Sequence, residues 1–489
     1  MNAENLRGEY NQKFIQDELQ TYHSFFSNIE GRALDLQQRT AIITDEDNNL
    51  VIAGAGSGKT TTIVGKVKYI IDRYKAKPEE ILLISFTKNA ASTLAERIGV
   101  KGVEARTFHK LGKDIIVACE ARQPSIFDEA QFRPLIERIF RELVKQPQYL
   151  HQLTEYFTNY LKPVKSAFDF KDQGEYIQYL KDQNFKTYKA QRTDRNGKLT
   201  YRLEVVKSIE ECRIANFLLF NNVSYKYEYP YEVATVTESH RQYKPDFTIK
   251  QGDKKIYLEH FGITRDGRVP DWFSGADGQT ATEKYRSDME WKKTVHQQHG
   301  TTLLESYSYE MSEGVLFDNL SAKLQEAGIA LKPKSEAEIW ALISEVAPDE
   351  TATFITLIQT FITLMKSNNH SIDELLQKNK STQLRYFRER NIAFLEILKP
   401  IYEAYQAHLK TRNEIDFSDM INLATEYVAA GRYPRKLSYI IIDEFQDISM
   451  GRYKLIAALK SQNPACKLFC VGDDWQSIYR FSGSYLALI

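Results

Sequence analysis

The 489-residue chain has few cysteines and no excess of charge of either sign. Its four cysteines show no spacing with histidines that is typical of a zinc site, and such sparse use fits a reducing compartment, which we expect to be the cytoplasm. The 65 basic residues balance 65 acidic ones, so a nucleic-acid partner would have to meet a local basic patch. The sequence has neither a signal-peptide apolar core nor an uncharged apolar run of about 18 residues, and we expect no membrane span.

A glycine-rich turn lies between an apolar stretch and an amphipathic one. The segment VIAGAGSGKTTT (51–62) follows the run NLVIAG, which predicts a buried parallel strand, and precedes a stretch whose apolar residues share one helical face. Glycines here let backbone amides curl around phosphate oxygens, and a helix N-terminus adds partial positive charge. We therefore predict a nucleotide site in which Lys59 reaches the β- and γ-phosphates and the Thr60 hydroxyl holds Mg²⁺. The predicted nucleotide-binding residues of this turn are Ala53, Gly54, Ala55, Gly56, Ser57, Gly58, Lys59, Thr60 and Thr61.

A second apolar strand ends in two adjacent carboxylates. In LSYIIIDEFQDIS (437–449), Asp443 would hold Mg²⁺, directly or through water, and Glu444 would act as the base on the attacking water. Most of the chain lies between Lys59 and Asp443, far more than a minimal nucleotide-binding core needs. We therefore expect folding to make the two neighbours and a large insertion to separate them.

Five further stretches follow one another along the chain. They are LDLQQRTAI (34–42), ILLISFTKNAASTLAERI (81–98), ARTFHKLG (105–112), IDFSDMINLA (415–424) and KLFCVGDDWQSIYRFSGS (467–484). Together with the glycine-rich turn, and in this order, they resemble the motifs of the UvrD/Rep-type helicases of superfamily 1, most closely the DNA helicase IV-like branch. The departures are Phe481, where the family often has Trp, and Ser482, where many members have Arg.

The resemblance implies roles for individual residues. Gln38 would recognise the adenine edge, with Arg39 beside it, and Gln476 would sense the γ-phosphate as a further catalytic residue beside Lys59, Asp443 and Glu444. An aromatic that stacks on a base tolerates any sequence, which suits a translocating motor. The residues expected to contact DNA are Phe86, Thr87, Asn89, Thr107, His109, Tyr479 and Phe481.

The resemblance also implies a fold: a P-loop NTPase (RecA-like) parallel sheet of the α/β class, with a helical insertion and an inserted α+β nuclease-like domain. The expected segments are an N-terminal helical extension (1–33), the first motor domain in two parts (34–118 and 425–489), a helical 1B domain in two parts (119–202 and 313–424) and the inserted domain (203–312). Family members carry a second motor domain after the last of these motifs, and we expect it to be absent here. We therefore expect poor hydrolysis and unwinding by this chain alone, with the other half supplied by a separate chain or lost by truncation.

Within the inserted domain, YKPDFTIKQGDKKIYLEHFGI resembles the core of PD-(D/E)xK nucleases. Hairpin geometry would bring Asp246 and Glu259 together, with Glu211 from the preceding helix as a third carboxylate, and such a set could hold one or two Mg²⁺ for phosphodiester hydrolysis. The lysine of the pattern belongs at Phe261, because residues i and i+2 of a strand share a face. Lys292, in the helix that follows, is the expected substitute; the alternative is a nuclease fold that only contacts DNA or packs.

Three functions stay open at this point. The first is an ATP- and Mg²⁺-dependent helicase or translocase, 3′ to 5′ by resemblance, that acts on single-stranded DNA or duplex junctions in repair or recombination. The second is a Mg²⁺-dependent DNA nuclease regulated by ATP, in repair or phage defence. The third is a catalytically inactive fragment that binds DNA or a partner.

Overall fold

The structure, a computed structural model, describes residues 3–54, 56–161, 167–183, 192–193, 199–200, 206–237, 241–275, 278–346 and 348–473. The chain divides into two compact units. Unit 1 comprises Met1–Phe140, Phe354–Ser381 and Leu398–Ile489, and unit 2 comprises Arg141–Thr353 and Thr382–Ile397.

Both units contain strands and helices. The strands of the described residues are, in chain order, β1 (Asn48–Ile52), β2 (Ile81–Ser85), β3 (Glu104–Thr107), β4 (Ser125–Ile126), β5 (Arg192–Thr193), β6 (Leu199–Thr200), β7 (Tyr225–Tyr227), β8 (Phe247–Gln251), β9 (Lys254–Phe261), β10 (Thr302–Tyr307), β11 (Glu414–Ile415), β12 (Tyr439–Ile442) and β13 (Lys467–Gly472). The helices are α1 (Ala3–Thr21), α2 (His23–Phe26), α3 (Leu36–Ile43), α4 (Lys59–Tyr74), α5 (Lys88–Ile98), α6 (Phe108–Glu120), α7 (Phe132–Leu143), α8 (Pro147–Asn159), α9 (Gln173–Gln183), α10 (Ile209–Phe220), α11 (Ala281–Gln298), α12 (Ser308–Ser312), α13 (Leu316–Glu326), α14 (Glu336–Val346), α15 (Pro348–Ser367), α16 (Ile372–Asn379), α17 (Arg385–Arg412), α18 (Phe417–Ala429) and α19 (Met450–Gln462).

A five-stranded parallel sheet, in the order β1-β13-β12-β2-β3, forms the centre of unit 1. The strands β2 and β12 are buried along their whole length, as expected of near-continuous apolar runs in a parallel sheet. Successive side chains alternate between two cores: Leu83 and Ile441 pack on one face, and Leu82 and Ile440 on the other.

Helices cover both faces of this sheet. The helices α1 to α5 pack on one face, and α6, α18 and α19 pack on the other. In α4 the predicted apolar face is buried at Ile63, Val64, Val67 and Ile70, whereas Tyr74, at its last turn, stays 37% exposed. This layered arrangement confirms the α/β, RecA-like fold expected from the sequence.

Unit 2 contains a four-stranded mixed sheet in the order β10-β9-β8-β7, with β10 parallel to β9 and the other pairs antiparallel. The helices α10 and α13 pack on one face, against Ile256 and Leu258 of β9. The helix α11 packs on the opposite face, where its Val295 is buried in one cluster with Tyr257 of β9. Alternation along β9 therefore places neighbouring side chains in opposite layers.

The core of this sheet extends further along the chain than the sequence analysis placed it. Leu316, Leu320 and Leu324 of α13 are buried in one cluster with Ile214 and Leu218 of α10, beyond the predicted boundary at 312. The helical spacing of these leucines gives α13 an apolar stripe, and this stripe is buried against the sheet. Among the described residues, no helix has both the length and the apolar composition to cross a membrane.

Candidate functional site

The carboxyl ends of all five strands of the central sheet of unit 1 lie at one edge, because these strands are parallel. The glycine-rich turn follows β1, the Asp443–Glu444 pair follows β12, and Asp473 follows β13, which lies between them. The expectation that turn and acidic pair become neighbours is therefore met on a single sheet.

The turn is shaped by backbone conformations that favour glycine. Gly56 and Gly58 have φ of 73° and 84°, and Gly58 caps the N-terminus of α4. The Ser57 hydroxyl donates to the Gly54 carbonyl at 2.7 Å, which closes the turn on itself. Ala53 joins the turn to the sheet through its N–H, which donates to the Gly472 carbonyl. Ala55 lies outside the described residues.

Gln38 lies directly against this turn. Its backbone N–H and side-chain oxygen form a capping box with Asp35 at the start of α3, and its amide nitrogen donates to the Ser57 carbonyl at 2.8 Å. A Cβ at Gly58 would come within 2.6 Å of the Gln38 amide and would displace that side chain, and the φ of 84° disfavours any other residue there. Gln38 is thus placed at the proposed nucleotide site, while Arg39 donates to the Leu34 carbonyl.

Lys59 faces two carboxylates at the strand ends. Its Nζ lies 3.4 Å from Glu444 Oε2 and 4.0 Å from Asp473 Oδ2, and its side chain is only 10% exposed. A cation held in this position is available to phosphate oxygens once anionic ligands enter the turn. The helix N-terminus behind Lys59 adds further positive potential.

Asp443 and Glu444 are held in a tight turn. Glu444 adopts the left-handed region, with φ of 52°, and its N–H donates to Asp443 Oδ1 at 3.0 Å. Burial, and then the charge of Glu444, raise the pKa of Asp443 to about 6. The Gln446 amide donates to Glu444 Oε2 at 2.7 Å, and its oxygen accepts from the Asp473 N–H. Gln446 therefore ties the ends of β12 and β13 together.

The sequence analysis did not single out Asp473 or Gln446. Asp473 is buried and closes the acidic face around Lys59. Its signal was present, since it directly follows the apolar run of β13 in the way that Asp443 follows β12. Gln446 is a different case, because its role depends on a contact between two strands that local sequence does not reveal.

The first turn of α4 carries the other predicted nucleotide-binding residues. Thr60 follows Lys59 at the start of the helix, and the Thr61 hydroxyl accepts from Arg97 Nη2 at 3.0 Å. Arg97 also pairs with Glu30 at 2.7 Å. Thr61 is thereby fixed to a neighbouring helix and the N-terminal segment.

The residues expected to contact DNA after β2 form a small exposed group. Thr87 caps α5 by accepting from the Ala90 N–H at 3.1 Å, and Asn89 is exposed in the first turn of this helix. The Arg452 guanidinium lies 4.8 Å from the Phe86 ring centroid. The same guanidinium donates to the Asp447 carbonyl, in the turn that follows the Asp443–Glu444 pair.

The residues expected to contact DNA after β3 also serve the fold. Thr107 is buried, and its hydroxyl caps α6 by accepting from the Lys110 N–H. His109 stacks on Phe417, with ring centroids 4.4 Å apart. Burial, with the charges of Arg452 and Lys88, lowers the pKa of His109 to about 4, so the ring is neutral at pH 7. Gln476, Tyr479, Phe481 and Ser482 lie outside the described residues.

The carboxylates expected in unit 2 meet on the β8–β9 hairpin. Phe247 pairs with Leu258, so Asp246 and Glu259 stand opposite each other at the next position along the two strands. Lys292 of α11 forms an ion pair with Glu259 Oε2. Burial, and then the charges of Glu259 and Glu211, raise the pKa of Asp246 well above its ordinary value.

Glu211 lies at the start of α10, where its Oε2 accepts from the Tyr227 hydroxyl and the Lys207 N–H. In the part of the chain that the structure describes, no group of three or more His, Cys, Asp or Glu side chains is arranged to hold a metal ion. The two strand carboxylates alone are oxygen ligands of the kind that Mg²⁺ takes together with water and phosphate.

A glycine-rich turn at a helix N-terminus, with a lysine facing carboxylates from adjacent parallel strands, is the arrangement of a P-loop nucleotide-binding fold. Residues 34–489 match the UvrD/REP helicase N-terminal domain. The chain therefore belongs to the UvrD/Rep helicase family.

Individual relatives agree with this assignment. DNA helicase IV of Escherichia coli (strain K12) is 23% identical over 99% of this chain and 46% of its own length. The ATP-dependent DNA helicase Rep of Buchnera aphidicola subsp. Baizongia pistaciae is 31% identical over 29% of this chain and 20% of its own length. The ATP-dependent DNA helicase PcrA of Leuconostoc citreum is 34% identical over 22% of this chain and 15% of its own length. The chain thus spans less than half of each of these relatives.

Proposed function

We propose that this chain is the ATP-binding motor domain of a DNA helicase or translocase. The observation that carries the proposal is the placement of Lys59 within reach of Glu444 and Asp473 at the edge of one parallel sheet. Such an edge, with a helix N-terminus beside it, is where triphosphates bind in this class of fold.

The residues present fit a bound Mg²⁺ and ATP. Thr60 and Asp443 offer the hydroxyl and carboxylate oxygens that would hold Mg²⁺, and the ion would neutralise charge on the β- and γ-phosphates. Lys59 would bind phosphate oxygens in place of its present contact with Glu444. Glu444, released from that contact but still held by Gln446, would orient the attacking water and accept its proton.

A chain of contacts supports coupling between this site and DNA. Arg452 contacts both the turn after β12 and the ring of Phe86, which stands at the start of the segment expected to bind DNA. A change in the turn on ATP binding would therefore reach Phe86 through one side chain. A side chain that contacts both sites allows ATP binding to change the affinity for DNA.

The finer features of this proposal follow the resemblance to the family. They are movement 3′ to 5′ on single-stranded DNA or at duplex junctions, work in repair or recombination, and a cytoplasmic location. Contacts of Gln476 with phosphate, and of Tyr479 and Phe481 with bases, belong to the same proposal.

The test is the affinity for single-stranded DNA with and without a non-hydrolysable ATP analogue and Mg²⁺, measured by fluorescence anisotropy. We expect the analogue to change the dissociation constant by about fivefold or more, the lower end of ordinary coupling between sites. Lys59→Ala should abolish this change and leave the affinity without analogue intact. Lys75→Ala, at the exposed far end of α4, is the matched control and should behave as the unaltered chain. An analogue without effect on the unaltered chain would refute the coupling.

A second activity is favoured by one specific arrangement, the Asp246–Glu259 pair with Lys292 beside it. We propose that unit 2 cleaves DNA in a Mg²⁺-dependent reaction. Asp246 and Glu259 would hold Mg²⁺, which supplies a Lewis acid for the scissile phosphate. Lys292, already paired with Glu259, would place its charge where a phosphodiester develops negative charge.

This activity is measured as Mg²⁺-dependent cleavage of labelled single-stranded and duplex DNA. Asp246→Asn should reduce the rate at least about 100-fold, since a metal ligand contributes several kcal/mol. Lys59→Ala should leave cleavage unchanged, and so should Asp266→Asn, which alters an exposed carboxylate of the same unit. Equal cleavage by the Asp246→Asn variant, or no cleavage by the unaltered chain, would rule out this second activity.

A further inference from the structure

A cavity of about 180 Å³ opens in unit 2 around the start of α10. It lies below the range of about 300–1,000 Å³ that is usual for drug-sized ligands, so it suits a single ring system. Its walls combine buried carboxylates with aromatic rings. The lining side chains used below are Tyr176, Lys207, Glu210, Glu211, His260, Trp272, Phe273, Tyr285 and Ser308.

Glu210 presents an acceptor oxygen to this cavity. One of its oxygens, Oε2, accepts from the Ser308 hydroxyl and pairs with His260 Nε2 at 2.8 Å. The other oxygen, Oε1, has no hydrogen-bond partner among the described residues, and the side chain is only 12% exposed. This oxygen is therefore free to accept from a ligand that enters the cavity.

Glu211 adds a second carboxylate to the same wall. It is 8% exposed, and its Oε2 accepts from the Tyr227 hydroxyl and the Lys207 N–H. The Lys207 side chain at the rim pairs with Glu228 and is otherwise exposed. The cavity therefore has an acidic interior and a cation at its mouth.

The aromatic side chains of the lining are held in place by ring contacts and hydrogen bonds. The rings of Trp272 and Tyr176 lie 5.6 Å apart, and the Trp272 indole N–H donates to the Ala167 carbonyl at 2.9 Å. The Phe273 ring lies 5.9 Å from that of Tyr285, whose hydroxyl accepts from the Gly262 N–H. Rigid aromatic faces of this kind stack on nucleobases irrespective of sequence.

We propose that this cavity binds one unstacked guanine base, with Glu210 and Glu211 accepting from its N1–H and 2-amino group. Guanine is the base whose Watson–Crick edge places a ring N–H and an amino group side by side, and the carboxylates of Glu210 and Glu211 are acceptors in the lining of this cavity. The aromatic rings would hold the ring plane, and Lys207, an exposed cation in the lining, would contact the attached phosphate. Unstacked bases in enzyme pockets are recognised by this pairing of edge contacts and stacking.

This site differs from the phosphate-binding turn in its unit and from the Asp246–Glu259 pair in its chemistry, although Glu211 lies near both the cavity and that pair. The phosphate-binding turn belongs to unit 1, whereas all residues of the cavity belong to unit 2. The Asp246–Glu259 pair offers metal ligands on the hairpin. Glu210 instead bonds to His260 and Ser308 through Oε2, and its Oε1 can accept from the uncharged N–H groups of a base. Guanine binding is therefore expected whether or not unit 2 cleaves DNA.

The probe is guanosine 5′-monophosphate, titrated by calorimetry into the full chain carrying Lys59→Ala so that the turn in unit 1 contributes nothing. We expect saturable binding that is at least about tenfold tighter than that of the adenosine, cytidine and uridine monophosphates, the discrimination of a good two-contact pair. Glu210→Gln should weaken it about 10- to 100-fold, because the amide oxygen stays with His260 and Ser308 and the NH₂ group faces the donors of guanine. Glu326→Gln, at an exposed helix end of the same unit, should have no effect.

A second arm distinguishes the free nucleotide from a base within a strand. Anisotropy compares a short oligothymidylate with the same strand carrying one central guanine; a preference for guanine that Glu210→Gln removes assigns the site to single-stranded DNA. Thermal unfolding checks that the Glu210→Gln variant is folded. If it is not, the test is repeated with Trp272→Leu, which removes a stacking contact instead of an acceptor. Equal binding of all four monophosphates, or no guanine preference in either arm, would overturn the proposal.

Discussion

Single side chains set the geometry of the nucleotide site. Gln446 bridges Glu444 and the backbone of Asp473, and Gln38 holds the glycine-rich turn through the Ser57 carbonyl. Glu444 itself is held in a left-handed conformation, which costs a non-glycine residue about 1–3 kcal/mol and persists only where neighbours enforce it. The residue proposed as the base is therefore placed before any ligand arrives.

Thr87 offers a test at the residue scale, because it caps α5 and is also expected to contact DNA. Thr87→Asp preserves the cap and adds a negative charge, so stability should stay close to that of the unaltered chain. Its affinity for single-stranded DNA should fall by about tenfold, since like charges repel the phosphates. Thr87→Ala should lose about 1 kcal/mol of stability with the cap. The measurements are urea unfolding and anisotropy.

Thr87→Ser keeps the hydroxyl and serves as the control, with both quantities unchanged. Were Thr87→Asp to bind DNA as tightly as the unaltered chain, this end of β2 would not lie at the DNA.

At the scale of helices and strands, the spacing of apolar residues was enough to predict several elements. The helical spacing of Ile63, Val67 and Ile70 predicts the buried face of α4, and the apolar run of β12 predicts a strand buried on both faces. Both follow from local pattern alone. The fold class, a parallel sheet covered by helices, follows from the order of such elements.

Contacts between elements were less accessible from the sequence. Glu259 and Lys292 lie on β9 and α11, so their ion pair depends on how a helix packs on a sheet. The sequence named Lys292 as the substitute for the lysine missing at Phe261, but it did not give the contact itself. The sequence did not predict the packing of α13 on the same sheet for a similar reason. A leucine stripe shows that one helix face is buried, but not which surface it packs against. The catalytic and DNA-binding roles of the individual residues stay predictions.

At the scale of the whole molecule, the balanced charge of the chain restricts how DNA can bind. With 65 basic and 65 acidic residues, attraction must come from local groups such as those near Arg452 and Lys88 and not from a global field. The two compact units separate the chemistry as well: unit 1 holds the phosphate-binding turn, and unit 2 holds the paired carboxylates and the acidic, aromatic cavity. The order of the segments, in which unit 2 interrupts unit 1, is what places Lys59 and Asp443 so far apart along the chain.

Binding of ATP at the glycine-rich turn is tested most sharply by the affinity for a fluorescent ATP analogue in the presence of Mg²⁺. We predict saturable binding by the unaltered chain. Lys59→Ala should lower the affinity about 10- to 100-fold, which corresponds to the free energy of a hydrogen bond to a charged group. Glu444→Gln should bind the analogue with nearly unchanged affinity, because Glu444 acts on water and not on the phosphates. Equal affinity of the unaltered chain and Lys59→Ala would contradict this placement, since the nucleotide would then bind somewhere other than the turn that faces Asp443 and Glu444.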